Sequence, residues 1–326
     1  KSSENYERRF IMTFPNETLP KGRKQKTTAL YDRFVNQGAV MGDSFGLENV
    51  LWFANNKEDA HEEPTIKRSR SHDYVSKEVI NVRENVGLIE VANFSKHEFK
   101  GPDARKFLDH IMAGRLPKPG RISLSPMLSY RGKLCGDLTV ACLEENEFMV
   151  FGSGAAQEMH RRWFESHLDK FNLSYSNRSD EYHGLSIAGP NSRKVLEKIV
   201  RENVSNEKFK FRDSRRMFVG GVPAIINRIS FTGELGYEIY VAPHYQLKLY
   251  EELMEAGKEF NIKPFGGRAL MSMRLEKNWG AWTLDYRPDF TAKETGLDAF
   301  INWDKEFIGK EIAQKENSSN KLVPLI

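Results

Sequence analysis

Cysteine is nearly absent: 326 residues contain only Cys135 and Cys142. They fall seven positions apart in a segment that reads as one strand, so their side chains point to opposite faces, roughly 23 Å apart. A disulfide requires Cα atoms within about 7 Å; both are therefore expected as free thiols, as in a reducing compartment. No Cys/His cluster has zinc spacing. Long apolar runs are missing too, and none approaches the roughly 20 residues that span a bilayer. The chain opens at Lys1 on a charged, polar stretch that does not read as a signal peptide. Charge of one sign is not in excess: 49 basic against 45 acidic residues give a net charge of +4, without the dense clustering expected of a nucleic-acid binder. The short basic runs at 21–26 and 67–70 read as solvated surface, which would also suit a small acidic ligand. There is no Walker motif and no Ser-His-Asp or Cys-His arrangement. His110, His160, His183 and His244 each lack a partner by spacing, so structural roles are the default.

What is present is an ordinary globular composition, 39% hydrophobic and 29% charged, with length for two or three domains of roughly 100–150 residues. Residues 1–70 read as a mostly irregular arm with one helical pattern near 28–36 and a loop anchored by Trp52-Phe53. From Ser71 onward short helices and strands alternate. Lys100-Gly-Pro-Asp-Ala-Arg-Lys-Phe-Leu-Asp-His-Ile111 recurs 88 residues later as Ala188-Gly-Pro-Asn-Ser-Arg-Lys-Val-Leu-Glu-Lys-Ile199. Each copy follows a strand and opens a helix with Pro near its first turn. The expected fold is α+β, built from duplicated antiparallel sheet-plus-helix modules at 71–180 and 181–315 behind the arm. Residues 316–326 are expected to begin a further segment.

Three stretches carry candidate chemistry. In Arg228-Ile-Ser-Phe-Thr-Gly-Glu-Leu-Gly-Tyr-Glu238, Gly233 and Gly236 surround Glu234. Two glycines let the backbone turn sharply and a ligand approach closely, and the carboxylate can accept two parallel hydrogen bonds from a flat ring. A hairpin with a solvated Glu234 remains the plain alternative. Asp137 lies inside the apolar strand after the Gly132 turn, where aspartate is depleted; it must face solvent, pair, or serve a site. Glu276, two residues after Arg274, reads as a helix-face ion-pair partner. Gly152-Ser-Gly-Ala-Ala-Gln157 resembles a dinucleotide fingerprint but ends in Gln and follows an antiparallel meander, so a tight strand-to-helix turn is expected.

Taken together, Gly132-Lys-Leu-Cys-Gly-Asp137-Leu-Thr-Val, the 228–238 stretch and Met273-Arg-Leu-Glu-Lys277 occur in an order and spacing that resemble the tetrahydrofolate-binding portion of the dimethylglycine and sarcosine dehydrogenase family, itself similar to the glycine-cleavage aminomethyltransferase (T-protein). Thr27-Thr-Ala-Leu-Tyr-Asp-Arg33, Gly46-Leu-Glu-Asn-Val-Leu-Trp-Phe53, Ser123-Leu-Ser-Pro-Met-Leu128 and Phe307-Ile-Gly309 look like the dehydrogenase branch. The resemblance implies the aminomethyltransferase fold and transfer of a one-carbon unit to tetrahydrofolate, giving 5,10-methylenetetrahydrofolate. It implies a partner FAD domain that oxidises a methylated amine to an iminium. FAD would be used only where that domain is present; its fingerprint is absent, and both ends of this chain look incomplete relative to the family, with 1–70 matching the linker after the FAD domain and 316–326 the start of a truncated C-terminal barrel. Asp137 matches the carboxylate beside the folate N5/N10 region and is the expected catalytic residue. Glu234 matches the pterin anchor, with Gly233, Gly236, Tyr237, Thr139 and Leu124 completing the expected folate set. Leu124 replaces a tyrosine and Leu270 an arginine of relatives, with Tyr237 or Trp282 as substitute stacking surfaces. A flavin-independent folate demethylase and a non-catalytic folate-binding module are the rival readings. The implied setting is cytoplasmic, or the mitochondrial matrix in a eukaryote, with no nucleic-acid or membrane partner.

Overall fold

The computed structural model describes residues 2–12, 17 and 20–323. In chain order the elements are α1 (Ser2–Glu7), α2 (Tyr31–Asn36), β1 (Ala39–Ser44), β2 (Leu47–Phe53), α3 (Ser71–Glu84), β3 (Val86–Glu90), β4 (Ser95–Lys100), α4 (Ala104–Ile111), β5 (Arg121–Leu128), β6 (Leu134–Glu144), β7 (Glu147–Gly152) and α5 (Gln157–Glu165). They continue with β8 (Ser174–Asn177), β9 (His183–Ala188), α6 (Ser192–Ile199), β10 (Ser214–Val219), β11 (Val222–Asn227), β12 (Gly236–Val241), α7 (Gln246–Gly257), β13 (Ile262–Pro264), α8 (Gly267–Glu276), α9 (Ala292–Thr295) and α10 (Lys310–Lys315). The two main sheets run β10-β11-β12-β9-β3-β13 and β5-β6-β7-β4-β8.

Strand period explains the layering. On β6, Leu138, Val140 and Cys142 point to one face, where they pack with Phe107 and Leu108 of α4 and Phe164 of α5. On β12, Tyr237, Ile239 and Val241 pack with Val195 of α6 and Leu249 and Leu253 of α7. The opposite faces meet each other: Ile122, Ala141, Met149 and Phe151 of the five-stranded sheet join Ile89, Ile225 and Tyr240 of the six-stranded sheet in one cluster. Helices thus cover the outer faces, and two apolar sheet faces are pressed together inside. Where the edge strand β5 meets the chain just before the edge strand β10, Ile122 N–H donates to the Arg212 carbonyl at 2.9 Å and Arg121 pairs with Asp213.

The repeated segments form equivalent helices, Ala104–Ile111 and Ser192–Ile199, each entered through a glycine with positive φ, Gly101 (136°) and Gly189 (131°). Two corrections concern the earlier residues. The arm, mostly irregular as expected, nevertheless carries an antiparallel hairpin of β1 and β2 about Phe45-Gly46, and Trp52-Phe53 belong to its second strand, not to a loop. A register shift between Val40 and Met41 breaks the alternation that would have shown it. The sheets also do not separate at residue 180, because β3 leaves the first segment to pair with β9 and β13 of the second. Cys135 and Cys142 are free on β6. Residues 316–323 run without regular structure, Leu322 N–H meeting the Glu294 carbonyl at 2.7 Å, and 324–326 lie outside the described residues. Among the described residues no helix is long and apolar enough to cross a membrane.

A Cβ on Gly189 would fall 2.6 Å from the Asn85 and Val82 carbonyl oxygens, whereas one on Gly221 (φ 78°) would meet nothing within 4 Å. Gly189→Ala is therefore expected to cost about 3 kcal/mol through clash and strain together, and Gly221→Ala about 1 kcal/mol from strain alone. Urea denaturation of the two variants checks the ranking; equal losses would contradict it.

A candidate site between the two sheets

Asp137 and Glu238 come from different sheets and face the same gap. Asp137 and Thr139 share the face of β6 that carries Ala141, a member of the inter-sheet cluster; Glu238 shares the face of β12 that carries Tyr240. Thr139 stands between Leu124 of β5 and Phe151 of β7 in register. The Phe151 ring stacks on Tyr240 across the gap, 4.5 Å between centroids and 27° between planes. One aromatic pair therefore joins the wall that carries Asp137 to the wall that carries Glu238.

Both carboxyls are out of bulk water. Asp137 is partly exposed, yet desolvation by the surrounding protein pushes its pKa up to about 7, a hydrogen bond from its own backbone N–H opposing the rise. A group accessible at one end and enclosed at the other is suited to meet a ligand and exchange a proton with it. Glu238 is 7% exposed. Desolvation also pushes it up to about 7, against the Tyr240 hydroxyl, which donates to Oε2 at 2.8 Å, and the charges of Lys277 and Lys96. Its in-register neighbours are Asn227 on β11 and Ser186 on β9. The Asn227 carboxamide oxygen accepts from the Ser214 hydroxyl at 2.7 Å, while its Nδ2 is buried with no hydrogen-bond partner among the described residues. An unsatisfied buried donor beside a carboxylate is a costly arrangement that a polar ligand would relieve.

The 228–238 stretch divides its residues differently from expectation. Glu234 is held from outside the turn: Arg83 Nη1 donates to its Oε1 at 2.5 Å, and Arg83 Nη2 reaches Glu276 Oε2 at 2.5 Å. Thr232 Oγ1 accepts from Glu234 N–H at 3.2 Å, fixing the turn locally. Gly233 has φ 87° and is exposed. Gly236, expected to let a ligand approach, instead lets the chain approach itself: a Cβ there would lie 2.7 Å from Ser230 Cβ and 3.0 Å from the Ile187 carbonyl oxygen. Tyr237 is not brought to the gap. It lies on the outer face, 5.8 Å from and nearly parallel to Phe209, with Arg193 Nε donating to its hydroxyl at 3.2 Å.

Leu124 packs in a cluster with Trp282 and Tyr286 at one end of the β5–β6 wall, so of the two substitute aromatics Trp282 is the one near it. The Tyr286 hydroxyl accepts from Gly280 N–H at 3.1 Å, and the Asp137 charge helps raise its pKa behind the larger effect of burial. Leu270 packs against the inter-sheet cluster. The segment at 152–157 is a strand-to-helix turn whose glycine serves a close approach of the chain to itself, since a Cβ on Gly154 would lie 2.1 Å from the Asn93 carbonyl oxygen. Sequence reading missed Glu238, Asn227 and Lys96. The first ended a quoted motif, but its neighbours Tyr237 and Ile239 are the ones that mark a buried face, and a single-sheet alternation sends Glu238 to solvent.

The raised carboxyl pKa values carry a pH signature. Where the folded pKa is about 7 and the unfolded value about 4.3, the native state keeps a proton that the unfolded chain has released. That stability is present in full at low pH and lost as pH rises to 7. Glu238→Gln removes one such proton, so its stability is expected to fall less steeply between pH 5 and 7, by about 1.4 kcal/mol per pH unit. Urea titrations at pH 5, 6 and 7 check this; parallel profiles for wild type and variant would refute it.

Comparison with known proteins places this architecture. The family model described as the GCVT N-terminal domain matches residues 30–305. Human mitochondrial dimethylglycine dehydrogenase is 34% identical over 317 residues, covering 95% of this chain and 36% of that protein. The chain thus spans little more than a third of that longer relative. An aminomethyltransferase from Thermotoga sp. (strain RQ2) is 28% identical over 92% of this chain and 78% of its own length. The crystal structure of the glycine cleavage system aminomethyltransferase T from Bartonella henselae superposes with a TM-score of 0.76 over 89% of this chain and 74% of that one at 22% identity, showing the same fold. Two facing sheets, the ordered motifs and a family match across most of the chain lead to one statement: this protein belongs to the GCVT aminomethyltransferase domain family and is homologous to part of dimethylglycine dehydrogenase.

Proposed function

We propose that the chain binds tetrahydrofolate between its two sheets and transfers to it a one-carbon unit released from a methylated amine, forming 5,10-methylenetetrahydrofolate. The observation that carries this reading is a pair of carboxyls, Asp137 and Glu238, on facing walls of one gap, each poised near neutral pH. The residues suit the ligand: a carboxylate next to an orphaned amide offers an acceptor pair and a donor to the edge of a pterin ring. Tetrahydrofolate supplies the acceptor amines. Glu238 and Asn227 fix the register of the ring, Glu238 taking the anchoring role that sequence reading gave to Glu234. Glu234 and Arg83 brace the turn from outside. Thr139 and Leu124 line the opposing wall, and Trp282 near Leu124 provides an aromatic surface.

Asp137 does the proton work. As the acceptor nitrogens bond to the one-carbon unit they must lose protons, and the departing amine must gain them. A carboxyl with a pKa near 7 can take a proton from the first and give it to the second without large cost in either direction. The iminium would be supplied by flavin-dependent oxidation of an N-methyl amine in a partner domain, in keeping with the greater length of the dehydrogenase relatives; no residue of this chain is assigned to that step.

Calorimetric titration with tetrahydrofolate, alongside turnover with formaldehyde-derived iminium, tests the reading. Wild type is expected to bind. Glu238→Gln should weaken binding about ten- to a hundredfold through loss of charge-assisted hydrogen bonds, and Glu234→Gln by about threefold or less, consistent with a bracing role. Asp137→Asn should keep binding and lose turnover by about a hundredfold or more. Unchanged turnover in Asp137→Asn would leave a folate-binding module without chemistry, and absent binding by wild type would end the proposal.

A further inference from the structure

Lys96 is the most unusual residue outside the carboxyl pair. It lies in β4 with an exposure of 0%, directly opposite Phe151 in register. It therefore shares the inter-sheet face with Phe151, and its Nζ sits 5.9 Å from the centroid of the Tyr240 ring on which Phe151 stacks. Nζ donates to the Ala92 carbonyl at 2.7 Å and more weakly to the Ser179 carbonyl at 3.4 Å, with no carboxylate in direct contact. Burying an ammonium without an ion-pair partner is expensive; two neutral carbonyls do not balance its charge, and burial pushes the Lys96 pKa down to about 7. The partner that the geometry supplies is indirect. Tyr240 holds Glu238 through its hydroxyl at 2.8 Å while its ring lies beside Lys96.

We infer that Lys96 is a positioning residue that, while protonated, holds Glu238 toward its anionic, ligand-accepting form from behind the Phe151–Tyr240 stack. The inference rests on the reading of Glu238 as the ring anchor. Its physical basis is that a charge inside the protein acts over several ångströms with little screening, whereas a solvated one does not. Each of the two groups alters the proton affinity of the other in the expected sense. Three groups besides Lys96 act on Glu238 or stand next to it: Tyr240 on its own strand, Lys277 beyond α8, and neutral Asn227. Lys277 is exposed with its Nζ tied to the Ser230 carbonyl at 2.9 Å, and its charge favours ionised Glu238 ahead of that of Lys96. Lys96 is faced in addition by Glu90 of β3, by Asp180, which pairs with Lys26, and by His97 and His183. His97 and His183 are both held toward the neutral form, first by burial, so they do not replace its charge.

The test is a carbon-detected NMR titration of the ligand-free chain, with the Glu238 carboxyl identified by its loss in Glu238→Gln. Lys96→Met should raise the Glu238 midpoint by about one pH unit, whereas Lys96→Arg should leave it within about 0.3 unit, since the charge is kept. The reciprocal measurement guards against misfolding of the Lys96 variants: Glu238→Gln should lower the Lys96 amine midpoint by a similar amount. In calorimetry the pH at which tetrahydrofolate affinity is half lost should move up with the Glu238 midpoint in Lys96→Met. An unmoved Glu238 midpoint, or an equal shift in Lys96→Arg, overturns the inference. Failure of wild type to bind tetrahydrofolate would instead end the reading of the site, while the carboxyl titration would still decide the link between Lys96 and Glu238.

Discussion

The contact between two sheet faces is the constraint on which the rest depends. A sheet that is apolar on both sides must be covered twice, and here helices cover the outside while the second sheet covers the inside. The Phe151–Tyr240 stack is the tightest expression of that closure. Beyond the area it buries, an aromatic pair of this kind contributes about 1 kcal/mol. Its larger consequence is positional. It sets Thr139 and Lys96, both in register with Phe151, against the wall on which the Tyr240 hydroxyl holds Glu238.

Much of the architecture was legible in the sequence because it follows from local rules. The Gly-Pro repeat marked two helices whose bounds differ by the same 88 residues as the motif, and the positive φ of Gly101 and Gly189 is the physical reason for its glycine. Asp137 stood out as an aspartate inside an apolar strand, and it lies within β6 on the face that carries Ala141. What could not be read was anything that depends on which surface meets which. β3 joins the second sheet because its neighbours there are β9 and β13, and nothing within Val86–Glu90 states this. The hairpin at 39–53 was hidden by a bulge that shifts its alternation by one residue.

The same limit governs the turn at 228–238. Period-2 reasoning on one sheet divides residues into core and solvent, so Tyr237 goes inward and Glu234 and Glu238 outward. With two sheets face to face there are two interiors, and a residue opposite the first core enters the second. Glu238 does so while Glu234, on the turn before the strand, is left at the edge for Arg83 to hold. Gly236 serves the close approach of Ser230 and Ile187 in place of a ligand. Lys96 follows the rule in its sharpest form. Ser95-Lys-His-Glu-Phe99 reads as a polar surface strand, yet all five residues are buried because β4 is covered on both sides.

This arrangement makes neutral pH the condition under which the gap is least content by itself. Below about pH 7 Asp137 and Glu238 carry protons and burial costs them little; above about pH 7 Lys96 can shed its proton and burial costs it little. Near pH 7 itself the unfolded chain gains most from ionising all three groups, because its carboxyls titrate near 4 and its lysine near 10.4. Attraction between Lys96 and Glu238 offsets part of the penalty wherever both are ionised. A ligand that donates to Glu238 and accepts from Asn227 would offset more of it. Binding of such a ligand would stabilise the fold by mass action increasingly as pH rises through the Glu238 midpoint.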